Sequence, residues 1–381
     1  MLRYLQLSLA ALASFSINAA SLDVEETRLT KANQQIAEVV NRYQTNLDAF
    51  QDVLSEKNQL ILTHKITQQA KQLWQQAVSD IRSGHQDDRS LYWSRLIMRK
   101  QLKQYQQQAK WPDWQLKVLL NGVESATRGI SDVHFGESVD IKILLTGFDP
   151  FFLDKNIAQS NPSGLTALAL DGFQFEVNGK KAQIETMMIP VRFADFNKGL
   201  IESIFTPAFR DKTADMIFTV SMGREHFDLE RFPGLNRSAK APGNLNVYTG
   251  ATKEKPLAPR LQNQTLNGAQ FVEFTLPVKA MQSVSGKWKV IDNHKVTTLE
   301  RGKHEAKSLH ALQQQTSVEG SGGGYLSNEI SYRSIRLMQQ FDHIIPVGHI
   351  HTPRIKGYEA DTEKQIVDQI REMIKAAAAT L

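Results

Sequence analysis

The residues that could do chemistry in this chain are concentrated in residues 322–329, Gly-Gly-Gly-Tyr-Leu-Ser-Asn-Glu. This segment joins a glycine-rich loop to a predicted helix. Backbone N–H groups around Gly323, Gly324 and Ser327 can therefore point at one spot and stabilise a developing oxyanion. The positive end of the helix dipole adds to the same place. Serine and asparagine are also favoured helix N-caps, so the segment by itself favours a cap over a nucleophile.

Three further motifs accompany this segment, each at the end of a predicted strand or the start of a predicted helix. They are Thr-Gly-Phe-Asp-Pro-Phe at 146–151 with Asn-Pro-Ser at 161–163, Leu-Glu-Arg at 229–231 with Asn236, and Ile-His-Thr-Pro at 350–353. The four motifs, in this order, resemble pyroglutamyl peptidase I, the cysteine peptidase family that removes N-terminal pyroglutamate. The resemblance covers about residues 138–381 and leaves the first 137 residues unexplained.

The resemblance implies a catalytic role for three residues. Ser327 would be the nucleophile, and His351, 24 residues further on, would be the general base and then the acid toward the leaving amine. Glu230 would hold the imidazole of His351 in the right tautomer and stabilise the imidazolium. His349 would point the same way as His351 on an extended strand, so a two-residue shift of the alignment would exchange them.

The resemblance also implies a substrate pocket without a cofactor. Phe148 and Phe151 would clamp the flat pyrrolidone ring, and Asn161 would order the loop beneath it. Core packing of the two rings is the alternative that the residues themselves allow. The two histidines form a poor metal site without a third ligand, so we expect no metal.

Several residues depart from the family pattern. Ser327 stands where the family has cysteine, and the chain has no cysteine at all. Glu329 replaces the usual histidine, Phe152 the usual glycine, and Lys240 an expected arginine; Pro-Gly at 233–234 reshapes the stretch before Asn236. A serine must lose its proton during attack, whereas a paired thiol is already ionised, so an unadapted swap removes most activity.

Strands and helices alternate from residue 140 onward, which predicts an α/β fold. A mainly parallel sheet with helices on both faces is expected, a three-layer sandwich of the phosphorylase/hydrolase-like type. The predicted strands are 140–145, 183–191, 216–220, 271–276 and 343–347, and the predicted helices are 163–171, 196–205, 331–341 and 362–378. Sites in such sheets collect at the carboxyl ends of strands. Residues 286–320, poor in apolar residues, are predicted to be an inserted loop, a lid or more simply a solvated excursion.

The region before the sheet, residues 21–137, is predicted to be an all-α N-terminal domain that folds as a helical hairpin or small bundle. Apolar residues recur at helical spacing, and helices are predicted near 60–83 and 90–110, the last broken by Trp-Pro at 111–112. A first helix carries the stripe Ile36, Val39, Val40, Tyr43, Leu47 and Phe50. A turn-rich stretch is expected over 121–137. Packing within the core or on the next domain explains such a stripe better than a ligand groove.

Residues 1–20 have the form of a secretory signal, with Arg3, an apolar run and small residues at Ala19 and Ala20. We therefore expect a secreted or periplasmic protein without a stable membrane anchor, or a cytosolic one if the signal is misread. The lack of cysteine fits an oxidising compartment. The net charge of +5 forms no basic stripe, which argues against nucleic acid. A homo-oligomer or a protein partner is left open.

Three functions compete at this point. The first is an exported omega peptidase that removes a pyroglutamyl or similar acyl group from a peptide with a blocked N-terminus, through a Ser-His-Glu acyl-enzyme. The second is an inactive pseudo-peptidase that binds such N-termini. The third is an interaction protein that works through its helical domain.

Overall fold

The computed structural model describes residues 21–381, so the predicted signal at 1–20 lies outside the described residues. The chain begins with a helical region. Its helices are α1 (Val24–Thr27), α2 (Leu29–Gln35), α3 (Ala37–Val40), α4 (Gln44–Val53), α5 (Gln59–Arg82), α6 (Arg89–Ala109) and α7 (Asp113–Ala126). The predictions for α5 and α6 are confirmed. Asn58 caps α5 by accepting from the N–H groups of Leu60 and Ile61.

The prediction of one long first helix is wrong, because the chain bends at Ile36 (φ −140°, ψ 44°) and again before α4. The bends let one apolar stripe wrap around α6. Leu29, Ala32 and Val40 pack on one side of it, and α4 packs on the other. The turn-rich stretch predicted from residue 121 is also partly wrong, since α7 continues to Ala126. Helix α6 ends at Ala109 with a left-handed C-cap at Lys110, and Pro112 is the N-cap of α7, where its missing N–H costs no helical hydrogen bond.

The remainder of the chain is an α/β unit built on one seven-stranded sheet. In chain order its first elements are β1 (Ile141–Phe148), α8 (Pro162–Leu170), β2 (Phe173–Val177), β3 (Lys180–Ile189), α9 (Phe193–Asn197), α10 (Leu200–Arg210), β4 (Met216–Met222) and β5 (Phe227–Glu230). The hairpin of β6 (Arg260–Leu261) and β7 (Gln264–Thr265) and the helix α11 (Val278–Gln282) follow.

The last third completes the sheet. It contains β8 (Val290–Asn293), β9 (Lys295–Thr298), β10 (Gly302–Glu305), a 3-10 turn (His310–Leu312), β11 (Ser317–Glu319), α12 (Leu326–Met338), β12 (Val347–Thr352) and α13 (Ala360–Ala378). The strand order is β2-β3-β1-β4-β12-β5-β8. Strands β3, β1, β4 and β12 run parallel, β2 is antiparallel to β3, and β5 is antiparallel to β12.

Helices cover both faces of this sheet, as the alternation of strands and helices predicts. Along β1, Ile143 and Leu145 face the core that contains α13, whereas Leu144 and Phe148 face the core that contains α10 and α12. The fold is therefore a three-layer α/β sandwich preceded by helices. None of the helices in residues 21–381 combines the length and apolar character that a membrane span requires.

Three local predictions are corrected by the structure. Residues 286–320 are not a solvated loop: β8 extends the main sheet, while β9, β10 and β11 form a small antiparallel sheet. Val296 and Leu312 from this segment are buried against Phe232 and Phe271. Residues 271–276 form no strand beyond an isolated bridge at Phe271. The last strand begins at Val347 rather than at residue 343, since the segment before it lies outside the ladder with β4.

A chain of buried ion pairs, here called the ion-pair seam, joins the helical region to the sheet. Its members are Glu25, Arg95, Arg99, Glu124, Arg128, Asp149 and Arg192. At its centre, Asp149 accepts from Arg95 Nη1 at 2.8 Å and from Arg128 Nη1 at 2.7 Å. Asp149 directly follows β1 in the motif at 146–151, so the seam fixes the loop that leads to the candidate site.

Candidate active site

The candidate site is a cavity of about 250 Å³ at the end of β1, β4 and β12. Seven of the lining residues are Phe148, Phe151, Asn161, Ser221, Gly322, Ser327 and His351. One cavity is therefore lined by five of the predicted site residues, although they come from widely separated parts of the chain. These five are Ser327, His351, Phe148, Phe151 and Asn161. Glu230 does not line the cavity: its side chain is fully buried and bonds to His351, which does.

The histidine and the carboxylate are joined directly. His351 Nδ1 lies 2.5 Å from Glu230 Oε1, and both side chains are buried. The antiparallel pairing of β5 with β12 places Asp228 opposite His351, so Glu230 reaches His351 diagonally on the same face of the sheet. Since Glu230 occupies Nδ1, the nitrogen that remains for chemistry is Nε2.

Glu230 is held from its other side by a residue that the sequence did not single out. Asn293 Nδ2 donates to Glu230 Oε2 at 2.8 Å and also to the Ser321 carbonyl at 3.0 Å. Asn293 ends β8, within the segment predicted to be a loop. The carboxylate therefore has a partner for each oxygen, which fixes its orientation toward His351.

Asp228 is a second buried carboxyl beside this pair and was also missed. Burial raises its pKa above the ordinary value, and the neighbouring Glu230 adds to the rise. Arg224 lies 3.6 Å from it and lines the cavity. The signal that could have found Asp228 is its spacing of two residues from Glu230, which puts both on one face of a strand.

Ser327 lies in the first turn of α12, one residue after the helix begins, and is half-buried. Its hydroxyl donates to the Gly322 carbonyl at 3.3 Å and does not bond to His351. The helix is capped at Tyr325 without a side-chain bond, so neither Ser327 nor Asn328 serves as the N-cap that the residue types suggested. Backbone N–H groups of Leu326 and Ser327 have no acceptor within the helix, because they belong to its first turn.

The glycines before Ser327 shape the loop in different ways. Gly323 has φ +89°, a conformation that favours glycine, but its N–H donates to the Gly320 carbonyl at 2.9 Å. Gly323 is thus not a free oxyanion donor, which corrects the sequence prediction. At Gly324 a Cβ would lie 2.0 Å from Ser238 Oγ, so the close approach of the two segments requires glycine.

The structure shows the surroundings of Glu329 and Phe152, two of the residues that depart from the family pattern. Glu329 is buried and accepts from Arg237 at 2.6 and 2.8 Å and from Arg333 at 2.8 Å, which ties α12 to the stretch after Glu230. Phe152 adopts φ 60°, a left-handed conformation that a glycine would occupy without strain. Its ring lines the cavity beside Phe151, with 4.6 Å between the ring centroids.

The aromatic wall and its support lie where the motif at 146–151 places them. Phe148 is buried, packs on Phe196 and also lines the cavity, so its ring serves both the core and the site. Asn161 caps α8 by accepting from the Ser163 N–H at 3.1 Å, and its amide donates to the Asp149 carbonyl at 3.0 Å. Asn161 thereby orders the loop under the cavity.

His349 does not replace His351 in the pair with Glu230. Its ring lies between Thr219 Oγ1 and Ser221 Oγ, each 2.8 Å from one ring nitrogen. Burial lowers the pKa of His349 well below its ordinary value, and His351 lowers it further. Within residues 21–381, no three His, Asp or Glu side chains cluster in a way that could hold a metal ion.

Family models match both halves of the chain. The PA0049 C-terminal domain matches residues 142–293 and 292–356, and the PA0049 N-terminal domain matches residues 10–124. The chain belongs to the PA0049 family. Uncharacterized protein PA0049 of Pseudomonas aeruginosa is 26% identical over an alignment of 387 positions that covers 77% of this chain and 70% of the relative.

Solved structures of two peptidases overlap with this chain at low similarity. A mutant pyrrolidone carboxyl peptidase from Pyrococcus furiosus is 20% identical, with a TM-score of 0.43 over 63% of this chain and 100% of that one. Pyroglutamyl peptidase I from Bacillus amyloliquefaciens is 21% identical, with a TM-score of 0.41 over 64% and 95%. Overlap at this level carries no argument about the chemistry of the cavity.

Proposed function

We propose that this protein is a hydrolase that removes a pyroglutamyl or similar small acyl group from the N-terminus of a peptide. The observation that carries the proposal is the buried pair of His351 and Glu230, joined at 2.5 Å beside a cavity that Ser327 also lines. A histidine oriented by a carboxylate, facing the same cavity as a hydroxyl, supplies the base and the nucleophile that acyl transfer uses.

The reaction would begin with a turn of the Ser327 side chain. Its hydroxyl leaves the Gly322 carbonyl and donates to His351 Nε2, which accepts the proton as Oγ attacks the substrate carbonyl. Glu230 stabilises the imidazolium that forms. The N–H groups of Leu326 and Ser327, at the positive end of α12, donate to the oxyanion. His351 then gives its proton to the leaving amine, and water hydrolyses the acyl-enzyme.

The test is release of a fluorescent amine from a pyroglutamyl amide by the purified protein. Turnover is expected from wild type and from Ser285→Ala, a control at an exposed serine, but not from Ser327→Ala. A serine-directed phosphonate should label Ser327, as mapped by mass spectrometry. Absence of both turnover and label in folded protein would refute the proposal, and a label on Ser221 would move the chemistry to another hydroxyl.

Binding without cleavage is the second candidate, and one observation favours it. The Ser327 hydroxyl bonds to the Gly322 carbonyl, not to the histidine that should activate it. In that case calorimetry should detect saturable binding of the pyroglutamyl amide by wild type, with no amine released. Turnover that Ser327→Ala abolishes would exclude this candidate.

Export is part of the proposal. A serine nucleophile resists the oxidation that would inactivate a low-pKa thiol outside the cytoplasm, which gives the replacement of cysteine a purpose. Sequencing the N-terminus of the protein from its native host tests this point. A mature chain that begins near residue 21 supports export, and an intact Met1 contradicts it.

A further inference from the structure

Ser221 lines the same cavity and is hydrogen-bonded to His349. Neither residue has a part in the proposed reaction. Ser221 Oγ lies 2.8 Å from His349 Nε2, and Thr219 Oγ1 lies 2.8 Å from His349 Nδ1. Thr219 Oγ1 also donates to the Gly348 carbonyl at 3.3 Å. The parallel pairing of β4 with β12 sets His349 beside Thr219 and His351 beside Ser221, so all four side chains lie on one face.

One placement of the protons satisfies all three bonds at once. The Gly348 carbonyl can only accept, so in this placement the Thr219 hydroxyl donates its one proton to it. Thr219 Oγ1 must then accept from His349 Nδ1–H. A neutral imidazole protonated at Nδ1 has a bare Nε2, which accepts from the Ser221 hydroxyl. Ser221 consequently has no proton left for the cavity and presents only lone pairs to it.

The surroundings keep His349 neutral, as this chain of bonds requires. The side chain is fully buried, and the ring of His351 lies 4.8 Å away between centroids. Burial and this neighbour both lower the pKa of His349. Two hydroxyl groups occupy its ring nitrogens, and no carboxylate bonds to them. It is therefore suited to orient a hydrogen bond and unsuited to store a proton.

We propose that Ser221 selects the acyl group by accepting a hydrogen bond from an N–H that the group carries, with His349 and Thr219 as positioning residues. This inference rests on the proposed function and narrows its substrate class. Ser221 lines the cavity with Phe148 and Phe151, where a small flat ring fits against aromatic walls. A lactam offers the required N–H. A cyclic ether of the same size would set one acceptor against another.

Binding to Ser327→Ala protein tests the inference without any turnover. Calorimetry compares a pyroglutamyl amide with the matching tetrahydrofuran-2-carboxamide, in which an ether oxygen replaces the lactam N–H. We expect the lactam to bind about ten- to hundredfold more tightly, because the ether leaves Ser221 unpaired. Adding Ser221→Ala should reduce the preference to within about threefold, and Ser221→Thr should retain it. Equal binding of both amides in the presence of Ser221 would overturn the inference.

The tautomer of His349 gives a second and independent readout. Nitrogen NMR of histidine-labelled protein, with the signal assigned by its loss in His349→Phe, should show a proton on Nδ1 and none on Nε2 between pH 5 and 8. A proton on Nε2 would leave the Ser221 hydroxyl free to donate and would overturn the inference. If neither amide binds, the acyl class under the proposed function is wrong, while the NMR result still decides the proton chain.

Discussion

The ion-pair seam and a second group of residues, here called the cavity cluster (Glu230, His351, Asn293 and Ser327), both contain buried charged side chains. They differ in what the hydrogen-bonded groups face. In the seam, Asp149 accepts from two arginines, and Glu124 contacts Arg99, Arg128 and Arg192. The Asp149 carboxylate is buried and faces its arginine partners. In the cavity cluster, Glu230 is equally satisfied, yet His351 Nε2 and the Ser327 hydroxyl remain beside an open cavity.

The buried carboxylates of the seam and of the cavity cluster therefore have different roles, one in stability and the other in chemistry. A buried carboxylate that only meets arginines holds two regions of the chain together, and removing it leaves cations unpaired. A buried carboxylate that orients a histidine next to solvent-accessible space acts through that histidine. Substitution of each carboxylate by its amide should therefore affect different quantities.

The largest expected effect is that of Glu230→Gln on amide hydrolysis. The amide keeps the shape of the side chain but can no longer stabilise an imidazolium, so the turnover rate should fall by about 10⁴. The free energy of unfolding should change by no more than about 1 kcal/mol, because the amide oxygen can accept from Asn293 while its NH2 donates to His351 Nδ1, which then carries its proton on Nε2. Steady-state kinetics and urea unfolding measure the two. Loss of stability with full activity would place Glu230 with the seam instead.

Asp149→Asn should show the opposite pattern. Loss of the charge leaves Arg95 and Arg128 without a counter-ion, and we expect the free energy of unfolding to fall by about 3–5 kcal/mol. Asp211→Asn is the control, since Asp211 is exposed beside Arg210 and should change stability by less than about 0.5 kcal/mol. Equal effects of the two substitutions in urea unfolding would show that the seam does not stabilise the fold.

Acid should narrow the difference in stability between wild type and Asp149→Asn. Burial raises the pKa of the Asp149 carboxyl, but Arg128 and Arg95 outweigh it, so the folded-state pKa lies below the ordinary value. A carboxyl with a depressed pKa stabilises the fold above its unfolded pKa of about 3.9, and this stability is lost as the pH falls through the folded-state pKa. Urea unfolding from pH 7 down to pH 3 should therefore show the gap between the two proteins narrowing, by no more than about 1 kcal/mol at pH 3. A gap that widens in acid would contradict the assignment.

Asn293→Ala tests the support behind the cavity cluster. Glu230 would lose the donor to Oε2, and we expect amide hydrolysis to fall about ten- to hundredfold. The free energy of unfolding should fall by about 1–2 kcal/mol, since the Ser321 carbonyl also loses its donor. Asn263→Ala, on an exposed loop, is the control and should change neither. Unchanged hydrolysis in Asn293→Ala would show that His351 alone orients Glu230.

Phe152→Gly should give the smallest change in stability. Relief of the left-handed backbone, worth about 1–2 kcal/mol, is offset by the flexibility of glycine and the lost contact with Phe151. Affinity for a pyroglutamyl amide should nevertheless fall several-fold, because the ring lines the cavity. Gln262→Gly removes a similar left-handed side chain (φ 55°) away from the cavity and should leave binding unchanged. If both variants bind as wild type does, Phe152 does not contact substrate.

Long apolar periodicity was the most dependable guide to the fold. Helices α5, α6 and α13 carry it over many turns, and their existence and approximate bounds follow from the sequence. The sequence does not predict helix α7, because Trp-Pro at 111–112 is a signal that ends a helix. The segment with β8 was missed because short strands at the edge of a sheet expose one side and lack a continuous apolar run.

The candidate site was only partly visible in the sequence. Ser327, His351 and Glu230 were found through motifs, whereas Ser221, Asp228 and Asn293 were not. Two of the missed residues show a usable signal. Polar residues at every second position, Thr219 with Ser221 and Asp228 with Glu230, mark a polar face on otherwise apolar strands. Asn293 shows no such signal, because its importance depends on which strand lies next to β5.

The sequence by itself determined which side chains share a strand face, because that depends only on the period of two residues along a strand. It also determined that a glycine-rich loop leads Ser327 into a helix. The tertiary structure decided that β5 runs antiparallel beside β12, which puts Glu230 on the same sheet face as both histidines, and that its carboxylate bonds to His351. It likewise placed Asp149 among arginines from the helical region. Strand order and domain packing arise from contacts between distant segments, and no local pattern specifies them.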